Sequence, residues 1–223
     1  RLKGQGSLAP LMPYCDINEI IFKLAPEITA NVKDTPILSL SGATNPLLPH
    51  DKHLDMLWEA GISGINPFMM KIYGSEVMDQ MENIGMGWTR EVEFVNAAHK
   101  KNMFTLAYAF TPEEATILAE AGASAISSHF GSTKGGISGA KTSYSIEEVA
   151  EMCQQMFDAA RKVNPNVILF AHGGPMEGPE QVEYVYKHTN AQGFIGGSAA
   201  ERMPIEKAVL SATQTFKSLS IYQ

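Results

Sequence analysis

His129 and His172 each close a short apolar run, AISSHF and VILFAH. An imidazole in that position can serve as general base, oxyanion donor or metal ligand. A core histidine held by hydrogen bonds leaves the same signature. Two glycine pairs follow apolar runs, in AHGGP (171–175) and GFIGGSA (193–199). Glycine lets backbone N–H groups come close to an anion, the Ser198 hydroxyl adds a donor, and the following helix points its positive end at the same place. Gly173, Gly174, Gly196, Gly197 and Ser198 are therefore candidates for holding a phosphate or carboxylate, against the alternative of tight turns that need glycine. Asn66 and Tyr108 sit in two further apolar runs, where a polar group is costly without a partner, and are candidates for orienting a substrate.

Charged candidates come from two glycine-rich stretches. The segment 131–142, GSTKGGISGAKT, is long enough to act as a lid or binding loop, and Lys141 is its candidate for neutralising an anion; Lys134 reads as solvated. GMGWTREVE (85–93) leads into a helix, where Glu93 is a candidate acid or base and Glu91 a candidate Mg2+ ligand, although first-turn carboxylates also cap helices. His50 and His53 have H-x-x-H spacing but open what reads as an exposed helix. His99 and His188 lie at helix carboxyl ends, where they complement the dipole.

The elements that must position these residues alternate strictly. Near-continuous apolar runs at 37–41, 62–68, 104–110, 125–130, 167–172 and 193–197 read as strands buried on both faces. Helices are expected over 18–30, 50–60, 89–101, 112–121, 145–163, 179–188 and 204–219. Thr111-Pro112-Glu113-Glu114 carries an N-cap, a first-turn proline and acidic first-turn residues, and Ser145-Ile146-Glu147-Glu148 is a capping box. EAGIS (59–63) and EAGAS (120–124) are two copies of one helix-to-strand turn, so the βα unit repeats.

Repeating βα units imply parallel strands, as an open doubly wound sheet or a barrel. The first turn reads GATNPLL rather than GxGxxG, and the glycine-rich turns follow the last two strands, as in TIM (β/α)8 barrels. The spacing from Ile37 to Gly193, 193 − 37 = 156 residues over five units, is about 31 residues per unit, so eight units need about 250. Only about six βα units are present. The expectation is one α/β TIM-barrel domain over 1–223, incomplete at its amino terminus, with its first two strands missing.

Composition narrows the function. The 223 residues carry 17 Lys and Arg against 24 Asp and Glu, a net charge of −7, which argues against a nucleic-acid partner. Two cysteines, Cys15 and Cys153, are too few for a disulfide framework. No run of 18 apolar residues suggests a membrane span. A cytoplasmic homo-oligomer acting on a small anionic substrate is the expected setting.

Six segments in order, GSLAPLMPYCDIN (6–18), GMGWTREVEF (85–94), SHFG (128–131), GGISGAKT (135–142), AHGGP (171–175) and GFIGGSAAERMPIE (193–206), make the chain resemble the phosphoenolpyruvate hydrolase-like TIM-barrel family. That family also supplies the carboxy-terminal barrel of plant tobamovirus-resistance proteins. The resemblance implies kinship with the phosphoenolpyruvate mutase group, hydrolases or lyases of phosphoenolpyruvate or small oxo-acids that commonly use Mg2+, with no organic cofactor. It also leaves open a non-catalytic metabolite-sensing or protein-interaction barrel. Relatives often carry a carboxylate in the turn where this chain has neutral Asn45.

Overall fold

The structure is a computed structural model, and it describes residues 16–68, 70–136, 139–141 and 144–220. Helix α1 (Ile17–Asn31) precedes β1 (Leu38–Ser41), α2 (His50–Glu59), β2 (Gly64–Pro67), a 3-10 turn (Met70–Tyr73), α3 (Ser75–Asn83) and α4 (Trp88–Lys100). The chain continues through β3 (Phe104–Ala109), α5 (Pro112–Glu120), β4 (Ala125–His129), α6 (Ile146–Val163), β5 (Ile168–His172), α7 (Pro179–His188), β6 (Gly193–Phe194) and α8 (Ser198–Lys217).

The local signals act as their chemistry dictates. Asp16 caps α1 by accepting the Asn18 N–H, Thr111 caps α5 by accepting that of Glu114, and Ser145 and Glu148 form the reciprocal capping box of α6. In the two copies of the helix-to-strand turn, Gly61 and Gly122 adopt φ +82° and +90°, a region L side chains avoid. At Gly122 a Cβ would also come within 2.4 Å of the His99 ring.

All five strand pairings are parallel and the spatial order is β1-β2-β3-β4-β5-β6. Each crossover therefore advances one strand in the same direction. Crossovers of one hand then put every connecting helix on one face of the sheet, as in the wall of a (β/α)8 barrel. A doubly wound sheet would reverse its order partway.

One core cluster confirms the one-sided helix layer: Ala107, Ala109, Ile126, Leu169 and Ala171 meet Val95, Leu118, Val149, Cys153, Phe157 and Val185 from α4 to α7. A second joins β2 to α2 and α4 through Ile65, Leu54, Leu57 and Phe94. Strand periodicity sends the alternate residues to the other face. Asn18 ties α1 to the end of β1, accepting the Gly42 N–H at 2.9 Å and donating to the Gly42 carbonyl at 3.1 Å.

Three expectations are corrected. Helix α3 was not foreseen; its apolar signal is confined to Val77, Met78 and Met81, and only Met78 of the helix is buried. Helix α8 begins at Ser198, six residues before Pro204, because SAAERM forms helix readily and a proline near the amino end of a long helix forfeits a single backbone hydrogen bond. The sixth strand is two residues long, since the chain turns at Gly196 and Gly197 to start α8.

Phe157 is 1% exposed, at the centre of the helix–sheet layer. Phe157→Ala should cost about 3–5 kcal/mol, read as a lower denaturation midpoint at unchanged denaturant dependence. A loss under about 1 kcal/mol would mean this layer does not hold the fold.

Candidate functional site

The inner-face residues at the carboxyl ends of β2, β3, β4 and β5 are Asn66, Tyr108, His129 and His172. His129 and His172 are direct register partners, with ring centroids 4.8 Å apart. Tyr108 lies 5.0 Å from the His129 ring and 5.3 Å from that of His172, and Phe110 backs His129 at 4.7 Å. Ser128, one residue earlier on β4, turns to the helix layer and meets Cys153 of α6 at 3.0 Å; burial pushes that thiol up to about 12. Ser128 and Cys153 thus belong to the outer core, while Cys15 lies outside the described residues.

The backbone sets a different proton arrangement on each imidazole. The Gly131 N–H donates to His129 Nδ1 at 3.0 Å, so Nδ1 keeps its lone pair and the ring proton sits on Nε2. His172 Nδ1 lies 2.7 Å from the Ile195 carbonyl oxygen. That oxygen can only accept, so Nδ1 carries the proton and Nε2 the lone pair. Burial lowers the pKa of both rings, that of His129 well below the ordinary value and further depressed by its neighbour His172. Both are therefore neutral at pH 7 and of opposite polarity, a donor at His129 Nε2 and a base at His172 Nε2.

Asn66 is 7% exposed. Its side chain lies beside the Tyr108 hydroxyl and favours the phenolate form, and its Oδ1 is buried without a hydrogen-bond partner, so it is the amide nitrogen that faces the phenolic oxygen. Burial raises the Tyr108 pKa to about 12 despite that neighbour, so the group stays a protonated phenol.

Gly197 caps α8, and a Cβ there would come 3.2 Å from His172 Cε1, so the start of α8 rests against the base. Ser198 is buried in its first turn. Gly173 and Gly174 are placed differently from the expected anion cradle. The Gly174 N–H donates to the Gly131 carbonyl, its carbonyl accepts the Lys134 N–H at 2.9 Å, and a Cβ at Gly173 would strike the Gly131 oxygen. These glycines serve the close approach of two loops.

The loop after β4 is also fastened to α8. Arg202, 4% exposed, donates Nη2 to the Gly135 carbonyl at 2.8 Å and Nη1 to Glu206 Oε1 at 2.9 Å. Lys141 is exposed on that loop. In the sequence Arg202 carries a single signal, a cation one turn into a helix that opens with Gly-Gly-Ser.

The two candidate carboxylates have different surroundings. Glu91 is buried in the first turn of α4. Glu93 is exposed and lines a cleft of about 610 Å³ in the helix layer with Asp51, Asn96, Lys100 and Glu120. Asn45 accepts the Leu47 N–H at 2.9 Å, closing its own turn. Among the described residues no three His, Cys, Asp or Glu gather to hold a metal ion. The mouth offers neutral nitrogens, an amide and a phenol where Mg2+ prefers carboxylate oxygens, so these residues do not fit that ion.

The H-x-x-H pair is not solvated, contrary to expectation. His53 is 1% exposed and stacks on Phe94 at 5.2 Å, because α2 turns this residue to the core. His50 lies 3.0 Å from the Ala43 oxygen and 3.3 Å from Arg90 Nη2. His188 stacks on Tyr184 at the end of α7.

A family model described as phosphoenolpyruvate hydrolase-like matches residues 1–219. The chain is 39% identical to the tomato (Solanum lycopersicum) ToMV susceptible protein tm-1 and 39% identical to the ToMV resistance protein Tm-1 of the same plant, each over 99% of its length. It spans 30% of the length of each. Among solved structures, a chain of the tryptophan synthase complex from Pyrococcus furiosus superposes with a TM-score of 0.53 at 17% identity, covering 88% of this chain and 69% of the other, a likeness of fold alone. Among the described residues no helix is long and apolar enough to cross a membrane.

Four histidines, His50, His53, His129 and His172, have pKa values lowered from 6.5, His53 to about 4. The unfolded chain therefore binds protons more readily, and their contribution, complete above pH 6.5, is lost as the pH falls towards 4. His53→Phe should remove about 2–3 kcal/mol of that acid loss, measured by denaturation across the range. Equal slopes for variant and parent would contradict this assignment.

Proposed function

This chain belongs to the phosphoenolpyruvate hydrolase-like family, and we propose that it is an enzyme that moves a proton on a small oxo-acid or phosphorylated acid held at the strand mouth. The observation that carries the reading is the pair of register-matched histidines with opposite, backbone-imposed proton arrangements. One ring accepts a proton while the other stabilises the negative charge that results.

The substrate anion rests at the start of α8, where first-turn N–H groups and the helix dipole favour negative charge; Lys141 adds a positive charge from the loop. His172 Nε2 takes the proton from the carbon beside the substrate carbonyl. The resulting imidazolium is stabilised because its Nδ1–H already points at the Ile195 oxygen. The electron pair moves onto the carbonyl oxygen, which accepts a hydrogen bond from His129 Nε2–H. Tyr108 and Asn66 orient the substrate. The reverse transfer restores the oxo-acid, so atoms and charge balance without a co-reactant. A positioned base is worth about 10²–10⁴ in rate and a donor at the developing oxyanion about 10²–10³.

The tomato relatives carry names that refer to ToMV susceptibility and resistance and to no reaction, which favours, as a second reading, a mouth that binds an anion without turning it over.

The experiment is deuterium uptake at the methyl group of pyruvate in D2O, followed by proton NMR. The full chain should catalyse it; His172→Gln should abolish it and His129→Gln should slow it at least about 100-fold, both with little change in melting temperature. Because the His172 pKa lies below 6.5, exchange should persist at that pH and fall only under more acid conditions. Binding of pyruvate without exchange would favour the second reading, and exchange surviving in His172→Gln would sink the assignment of the base.

A further inference from the structure

We infer that the substrate of this mouth carries a hydroxyl group beside its carbonyl or carboxylate, as hydroxy acids and hydroxy-oxo-acids do. This rests on the reading of the mouth given above and names the chemical class that it takes. Phosphoenolpyruvate and pyruvate present only hydrogen-bond acceptors at neutral pH, so the inference separates the substrate from the compound in the family's description.

Asn66 lies on the inner face of β2, since its neighbour Ile65 points into the helix-side core. Its amide nitrogen is engaged by the Tyr108 hydroxyl, and that tyrosine's ring packs against both His129 and His172. The Asn66 carbonyl oxygen, on the same amide, therefore lies beside this group of rings, and it is buried without a partner. Rotating the amide by 180° would give that oxygen the Tyr108 proton but strand two N–H donors in its place, a worse outcome for a buried group. The arrangement with one unpaired acceptor is the one the site keeps, and a donor completes it, either an ordered water or a ligand hydroxyl that takes the water's place.

The remaining groups complement such a ligand. His129 Nε2–H and the Tyr108 hydroxyl donate, His172 Nε2 accepts, and Asn66 Oδ1 accepts. Two donors and two acceptors grouped at the same strand ends match a molecule that has both a carbonyl or carboxylate oxygen and a hydroxyl. A ligand made only of acceptors leaves Asn66 Oδ1 unsatisfied, and sites built around such a hydroxyl discriminate strongly against analogues that lack it.

Pyruvate and hydroxypyruvate differ by this one hydroxyl and serve as probes. Their dissociation constants for the full chain, measured by titration calorimetry, should differ by about 10- to 100-fold in favour of hydroxypyruvate. In Asn66→Ala the preference should collapse to less than about threefold, whereas Asn66→Asp, which keeps an acceptor in place, should retain it while weakening both anions alike. Equal affinities for the parent chain, or a preference that survives Asn66→Ala, would overturn the inference and leave the proton-transfer reading intact. Failure of both acids to bind would overturn the mouth itself and this inference with it.

Discussion

Two imidazoles facing each other across adjacent parallel strands, away from bulk water, have one inexpensive charge state, in which both are neutral. Neutrality still leaves each ring a choice of which nitrogen holds the proton, and here the backbone makes that choice. An N–H from the turn after β4 fixes His129, and a carbonyl from the turn after β6 fixes His172. The rest of the site depends on this pair. Tyr108 packs against both rings, and the start of α8 rests against His172, so the surroundings are built about these two fixed tautomers.

The fold supplies that constraint through its order. A sheet whose strands follow one another in sequence places every helix on one face and leaves the other to side chains from each strand in turn. The apolar half of each strand is spent against the helices, as with Ala107, Ile126 and Leu169. The inner positions at the carboxyl ends are then free for chemistry, and residues distant in sequence, 66, 108, 129 and 172, meet there. Arg202 extends the same logic to the loop after β4, tying Gly135 to the helix whose first residues rest against His172.

Much of this was legible in the sequence, and the limits have physical causes. A polar residue inside a run such as VILFAH advertises its cost, so Asn66, Tyr108, His129 and His172 could be collected without coordinates, as could five of the six strands within a few residues. The proton positions could not, because they depend on a backbone N–H and a carbonyl set by turns up to 23 residues away. Gly173 and Gly174 were open to two readings because glycine serves an anion and a close loop crossing equally well. Arg202 was invisible because a cation in a helix is ordinarily solvated, and His53 because a polar residue near a helix start reads as exposed when its inward rotation is unknown. The carboxylates Glu91 and Glu93 shared a promising neighbourhood in sequence, but a helical rotation separates a buried position from an exposed one two residues on.

The central claim concerns protons, and it is open to direct observation. Nitrogen-15 NMR of the full chain labelled at the histidine rings, recorded near pH 7, distinguishes a protonated ring nitrogen from one with a free lone pair. Two neutral rings with opposite tautomers are expected, the proton on Nε2 for His129 and on Nδ1 for His172. Matching tautomers, or an imidazolium at either position, would contradict it.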